Sequence, residues 1–277
     1  MMAKSARTAS RPRQYDRAME LAGQVVVVTG GASGIGRALA RRVAAEGAAG
    51  VVVADRDAVG ARRVADELGD AGLAVACDVA DPDHAQELIA AAARFGPVDL
   101  FCANAGVAVG RELGDPDEWQ AAIDVNLGAH VAAARALLPG WLERGRGAFL
   151  STASAAGLLS QIGSAPYAAT KHAAVAFAEW LSITYGDRGV QVACLCPMGV
   201  ATPLLEQAGA AGDVVRASGG VVEPDTVAAL AVDALREGRF LVLPHPEVAD
   251  FERLRAGDRE RWLAGMRRLR AQVMGGA

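Results

Sequence analysis

Gln24-Val-Val-Val-Val-Thr29-Gly30-Gly-Ala-Ser33-Gly34-Ile35-Gly36 is an apolar run of strand length that breaks into a glycine-rich turn. Arg37 to Glu46 follows at once with a helical pattern. An uninterrupted valine run suits a parallel strand buried on both faces. A glycine-rich turn between such a strand and a helix lets backbone approach a diphosphate, which the helix N-terminus then stabilises. The glycine spacing differs from G-x-G-x-x-G, so the reading rests on the strand and helix that flank the turn.

Working outward, strand and helix keep alternating. A second strand, Gly50–Ala54, ends at Asp55, 19 residues beyond Gly36, and helix Ala58–Leu68 follows. Strand Ala74–Cys77 leads to Asp78-Val79, and Asp81-Pro82 is expected to cap and start a helix that runs to about Phe95. Strand Asp99–Ala103 ends in Asn104-Ala105-Gly106, and a long amphipathic segment, Pro116 to Leu138, carries Asn126 in its middle. Strand Gly147–Thr152 delivers Ser154, the stretch Gly157–Pro166 reads as loop, and a helix from Tyr167 to about Tyr185 follows. Strand Val190–Cys196 ends at Pro197, then come helix Glu223–Glu237, a last strand Phe240–Leu243 and an arginine-rich helical tail, Val248 to Val273. This alternation predicts an α/β fold with one doubly wound parallel sheet of about seven strands. Right-handed crossovers bring the strand ends that carry Gly30, Asp55, Asn104, Ser154 and Pro197 to one edge.

Several residues on that edge are candidates for binding a dinucleotide. Asp55 can accept hydrogen bonds from both adenosine ribose hydroxyls and would repel a 2′-phosphate, so NAD is expected rather than NADP. Arg56 next door could reach a 2′-phosphate if Asp55 turned away. Asp78 and Val79 could hold adenine. Residues 203–222 are small, apolar and glycine-rich, as a functional loop in a compact domain often is.

Tyr167-Ala-Ala-Thr-Lys171 supplies the chemistry, together with Ser154 thirteen residues upstream. A tyrosine and a lysine four apart share one helix face, so their polar ends can converge. A nearby ammonium favours the ionised phenol and makes it usable as a base near neutral pH. Lys4 and Lys171 are the only lysines among 28 lysines and arginines, which leaves 26 arginines. Arginine cannot release a proton near neutrality, so the lysine beside Tyr167 looks chosen for its chemistry. Asn126 sits inside a helical segment, where asparagine is mildly unfavourable, and invites a functional reading.

A chain of 277 residues with 52% hydrophobic and 22% charged residues reads as a globular protein that one large domain can accommodate. Its net charge of −4 argues against nucleic acid as a partner. No apolar run reaches bilayer length, so no membrane association is expected. Residues 1–20 are basic and polar and read as a disordered tail, with an organelle-targeting peptide as the lesser alternative. Cys77, Cys102, Cys194 and Cys196 sit in strand-like runs, and no cluster completes a metal site. They read as core thiols of a protein in a reducing, cytoplasmic compartment. His245, between prolines, reads as structural, and His84, His130 and His172 show no convergent partners.

Together these residues resemble the short-chain dehydrogenase/reductase family, from about Gly23 to Leu243. Thr29-Gly-Gly-Ala-Ser-Gly-Ile-Gly36 is similar to its T-G-x-x-x-G-I-G turn. Asp55, Asp78-Val79, Asn104-Ala-Gly106, Asn126, Ser154 and Tyr167-x-x-x-Lys171 follow in the family's order and spacing. The resemblance implies a single Rossmann-type domain over residues 21–246, with a substrate loop at about 198–222 and a C-terminal helical extension over 247–277. It further implies that Tyr167 is the general acid/base and that Ser154 binds the substrate oxygen. Lys171 would bind the nicotinamide ribose and depress the tyrosine pKa, and Asn126 would hold a water in a proton relay. Gly30, Ser33, Gly34, Ile35, Gly36, Asn104, Ala105, Gly106, Pro197, Val200 and Thr202 would join the acidic residues in holding the cofactor. Met198 stands where the family usually has glycine and is expected to line the pocket, and the Arg-rich helical end departs from the family's short tail.

The implied activity is hydride transfer between nicotinamide and a small apolar secondary alcohol or its ketone, in a homodimer or homotetramer. An NADPH-dependent ketoreductase, suggested by Arg56, is the alternative within the same class. A non-catalytic dinucleotide-sensing or scaffold protein is the alternative outside it.

Overall fold

The computed structural model describes residues 19–275 apart from 208, 210, 211, 213, 214 and 216–219. All but the last two residues of the expected basic tail, and part of the expected substrate loop, lie outside the described residues. The valine run is strand β1 (Val25–Thr29), buried throughout. The other strands are β2 (Gly50–Asp55), β3 (Gly72–Ala76), β4 (Leu100–Ala103), β5 (Gly147–Thr152), β6 (Val190–Leu195), β7 (Gly199–Val200), β8 (Val221–Val222) and β9 (Leu241–Val242). Seven of them form one sheet in the order β3-β2-β1-β4-β5-β6-β9, every pair parallel. The order reverses between β1 and β4, the place where open α/β sheets bind ligands.

Helices cover both faces. Val26 and Val28 meet α1 (Gly34–Ala45), α2 (Ala58–Glu67) and, across the sheet's other half, α9 (Pro224–Glu237) in one apolar cluster. Val25 and Val27 face a second cluster built on α3 (His84–Ala92), α5 (Ala129–Arg144) and α7 (Ala165–Tyr185). Burying a valine fully stabilises by roughly 1.5–3 kcal/mol relative to exposure, so the run belongs inside the sheet. Among the described residues the remaining helices are α4 (Pro116–Ile123), α6 (Ala156–Leu159), α8 (Pro203–Gln207), α10 (Glu247–Gly257) and α11 (Arg259–Met274).

The structure departs from the sequence reading in several places. The helix expected from Asp81 begins at His84, because the Asp81 carboxylate accepts the Asp83 N–H in a turn of its own. Strand β3 lies at Gly72–Ala76 rather than Ala74–Cys77, in register with β2 from Val51↔Gly72 to Asp55↔Ala76. The helix that carries Tyr167 starts two residues early, since Ser164 caps it and Pro166 fits the first turn. The C-terminal tail is two helices, broken where Gly257 ends α10 and the Asp258 carboxylate caps α11. The stretch Gly157–Pro166, read as loop, contains most of the short α6.

The long segment around Asn126 is also not one helix. Asp124–Gly128 forms a π-turn between α4, which opens on an Asp115/Glu118 capping box, and α5. Taken as one stretch, Pro116–Arg144 is long and apolar enough to cross a membrane, with a window of mean hydropathy 1.2. That corrects the expectation that no run reaches such a length. The stretch places Ala129, Ala133, Leu137 and Trp141 in the core cluster on β4 and β5, as a core helix of a folded domain does.

Candidate active site

The glycine turn is built by exclusion of side chains. A Cβ on Gly36 would sit 2.1 Å from the Gly30 carbonyl oxygen, and one on Gly30, at φ +65°, would sit 2.9 Å from Ala105 Cα. The first turn of α1 can therefore press against the end of β1 only with glycine at both positions. Asn104 clamps the same corner: its side-chain Nδ2 donates to the Thr29 carbonyl at 3.0 Å and its N–H to Thr29 Oγ1 at 3.0 Å. Gly36→Ala is expected to lower stability by about 3 kcal/mol and to abolish NADH binding, checked by denaturant unfolding and a fluorescence titration. Wild-type behaviour in both would show that the turn has room to spare.

Asp55 closes the end of β2. Its carboxylate accepts the N–H of Ala32 and of Asp57, each at 3.0 Å, which holds it against the glycine turn. Arg56 is exposed beside it. Asp78 accepts the Ala80 N–H at 3.0 Å, and Val79 is buried next to it. Thr202 abuts the turn from the far side, where a Cβ on Gly34 would lie 2.9 Å from its Cγ2.

Ser154, Tyr167 and Lys171 meet at the carboxyl end of β5. The Ser164 hydroxyl caps α7 by accepting the Tyr167 N–H at 3.3 Å, which places Tyr167 in the first turn and Lys171 one turn on. The Ser154 hydroxyl accepts the Ala156 N–H at 3.1 Å, donates to the Pro197 carbonyl at 3.4 Å, and stands close enough to the Tyr167 phenol to favour its ionised form. Lys171 is 3% exposed, and its Nζ donates to the Thr152 carbonyl at 3.0 Å and lies 5.8 Å from the Tyr167 ring centre. Burial pulls its pKa down to about 8. Tyr167 lines the cleft, yet the protein packed around its hydroxyl raises the phenol above its ordinary value, with the nearby Ser154 hydroxyl opposing. The lowering expected from Lys171 is not what the site shows: Ser154 is the group that lowers the phenol, and desolvation outweighs it.

Asn126, fully buried in the π-turn, spends its amide on the backbone of Val107. Its Oδ1 accepts the Val107 N–H at 2.9 Å, and its Nδ2 donates to the Val107 carbonyl at 3.0 Å and to Thr170 Oγ1 at 3.1 Å. Oδ1 keeps one lone pair. A Cβ on Gly106 would stand 3.3 Å from both that oxygen and Lys171 Nζ, so this glycine leaves the space between them open.

All of these candidates except Gly36 and Asn126, which stand behind the surface, line one cleft of about 1010 Å³. Met198, Pro197 and Val200 form part of its wall. The cleft suits a dinucleotide: a glycine, Gly106, whose added Cβ would crowd the space before Lys171, an acidic group at one end, and on its wall a buried Thr152 hydroxyl without a partner among the described residues.

Sequence reading missed three features. His245 ties down the expected substrate loop, accepting the Met198 N–H at 3.2 Å and donating to the Gly220 carbonyl at 3.0 Å. A histidine between prolines hinted only at a structural role. Arg111, Glu112, Asp117 and Glu118 also reach the cleft, and Glu118 is engaged in the α4 cap. The last helix reaches it too, through Met274. Of the other histidines, His84 bonds the Asp81 carbonyl at 2.7 Å and His172 the Ala168 carbonyl at 2.9 Å within their own turns, while His130 meets Ser151 Oγ at 3.1 Å.

Known proteins share the sequence and the fold of this chain. The short chain dehydrogenase family model matches residues 24–212. A 1-deoxy-11-beta-hydroxypentalenate dehydrogenase of Streptomyces exfoliatus is 40% identical over 242 residues, which cover 83% of this chain and 86% of that protein. A short chain dehydrogenase/reductase of Burkholderia phymatum, solved in complex with NAD, superposes with a TM-score of 0.78 at 32% identity, over 87% of this chain and 96% of that one. A 3-ketoacyl-(acyl-carrier-protein) reductase of Brucella melitensis, solved with NADH, does so with a TM-score of 0.75 at 31% identity, over 81% of this chain and 98% of that one. With its glycine turn, its parallel sheet and its Ser-Tyr-Lys cluster in one cleft, the chain belongs to the short-chain dehydrogenase/reductase family.

Proposed function

We propose that this oxidoreductase transfers hydride between the nicotinamide of NAD and an apolar secondary alcohol or its ketone. The observation that carries the reading is the convergence of Ser154, Tyr167 and Lys171 in the same cleft that Asp55 closes. A bound nicotinamide supplies the carbon that accepts or donates hydride. The chain's own residues handle the oxygen. Ser154 orients the alcohol or carbonyl oxygen, and Tyr167 takes the hydroxyl proton during oxidation or returns it during reduction. Lys171 positions the ribose and presents positive charge to the phenol. A water in the space that Gly106 leaves open would link Lys171 Nζ to Asn126 and complete a relay. Residues 21–246 would form the cofactor-binding and catalytic domain, with 247–277 as an extension.

Asp55 supports NAD over NADP, because a 2′-phosphate would meet a carboxylate already fixed by two backbone N–H groups. NADH is expected to bind at least about tenfold tighter than NADPH, or about 1.4 kcal/mol, in a titration that follows nicotinamide fluorescence. The reverse order would hand the site to Arg56 and point to ketone reduction with NADPH. Val107, Val109, Leu204 and Leu205 on the cleft wall support an apolar substrate. Four free, buried thiols support a reducing, cytoplasmic setting. Exposed Trp180 and Ile183 on the outer face of α7 support self-association as a homodimer or homotetramer.

A further inference from the structure

Helix α11 turns its arginines outward and a sparse apolar stripe inward. Trp262, Met266, Leu269 and Val273 recur at spacings of four, three and four and are half-buried, and no residue of the helix is fully buried. Trp262 packs on the core cluster. One turn from the end, Arg270 pairs with Glu112 at 3.2 Å, and Met274 in the final turn lines the cleft that holds Ser154, Tyr167 and Lys171.

Glu112 is an unusual anchor. It holds a left-handed backbone, φ +52°, which a residue with a Cβ adopts rarely. Its N–H donates to the Gly163 carbonyl and its carbonyl accepts the Ala165 N–H, both at 2.8 Å. Those residues flank Ser164, the cap of the helix that carries Tyr167. The residue that braces the start of the catalytic helix therefore also receives the last helix. A second tie joins the extension to the same helix, where Arg255 donates to His172 Nε2 at 3.3 Å, one residue beyond Lys171.

We infer that α11 is the outer wall of the substrate pocket, that Met274 sets the size of the apolar alcohol or ketone admitted, and that the Glu112–Arg270 pair holds this wall in place. The inference rests on reading the cleft as the oxidoreductase site. Methionine is unbranched and adaptable, so it can mould to a rigid apolar surface. An exposed ion pair is weak, which leaves the wall held but able to move aside. The substrate is then a bulky alcohol, such as a fused-ring one, that touches both Tyr167 and Met274. A three-carbon alcohol reaches Tyr167 alone.

The test uses the full chain, NAD, and secondary alcohols graded from propan-2-ol to fused-ring compounds. Met274→Ala is expected to raise kcat/KM for the largest alcohols relative to the smallest by about tenfold, and Met274→Trp to lower it similarly. Arg270→Gln and Glu112→Gln should each raise KM for the large alcohols, the double variant doing no worse than either single one. The NADH dissociation constant should stay unmoved in all of them. A readout free of activity comes from Met274→Cys, whose labelling by a maleimide should slow severalfold when a fused-ring ketone is added and not when acetone is. An unchanged size profile in both Met274 variants, with labelling indifferent to the ketone, overturns the inference while leaving the proposed reaction standing. Loss of NADH binding by the wild-type chain strikes the proposed reaction instead, and the labelling experiment still decides on the wall.

Discussion

Tyr167→Phe should lower kcat for alcohol oxidation by roughly 10²–10⁴ and leave the NADH dissociation constant within about twofold. Phenylalanine keeps the ring against Lys171 Nζ, 5.8 Å from its centre, and removes only the hydroxyl beside Ser154. The loss is therefore chemical rather than structural. Ser154→Ala should cost about as much, and the pair together little more than Tyr167→Phe alone, because the two act on one oxygen. The pH profile carries the sign. Protein around the hydroxyl raises the phenol pKa, so the base needed for oxidation forms only as pH rises, and kcat/KM for the alcohol should climb through the alkaline range. Ketone reduction needs the protonated phenol and should decline over the same range. Full turnover by Tyr167→Phe, or oxidation that falls as pH rises, would remove Tyr167 from the proposed role.

The sheet was legible because its signals are short-range. Four consecutive valines that meet a glycine turn specify a buried parallel strand and a helix start whatever lies elsewhere in the chain. The strand of Ser154 and the capped helix of Tyr167 are similarly local, and the boundaries of β5, Gly147–Thr152, match the sequence reading residue for residue. What escaped depends on partners far along the chain. The π-turn at Asp124–Gly128 belongs with the bonds from Asn126 to Val107, 19 residues away, and to Thr170, 44 away. The contribution of Met274 to the cleft depends on where α11 docks, and no periodicity within Arg259–Met274 reports that. The balance at Tyr167 is of the same kind. Spacing gives the neighbour at i+4, but the density of protein around the hydroxyl, which decides the direction of the shift, is a property of the packed site.

Lys171→Met pits activity against stability. The ammonium is 3% exposed, and burial lowers its pKa from 10.5 to about 8. The folded value lies below the unfolded one, so the unfolded chain holds the proton more tightly. The charged lysine then weighs against folding fully below about pH 8, and the handicap fades as pH rises towards 10.5. A shift of that size corresponds to about 3 kcal/mol. Losing the Nζ bond to the Thr152 carbonyl gives back about 1–2 kcal/mol of it. A methionine of similar length should therefore stabilise the chain by about 1 kcal/mol at pH 7, a rise in melting temperature of about 2–4 °C, while turnover falls by roughly 10²–10⁴. The gain should vanish near pH 10, where the wild-type lysine has shed its proton. A melting difference that does not vary with pH would show that the buried charge is not what the substitution relieves. Retained turnover would show that the tyrosine works without its ammonium. A stabilised, inactive variant would mark Lys171 as a residue kept for chemistry at the expense of the fold.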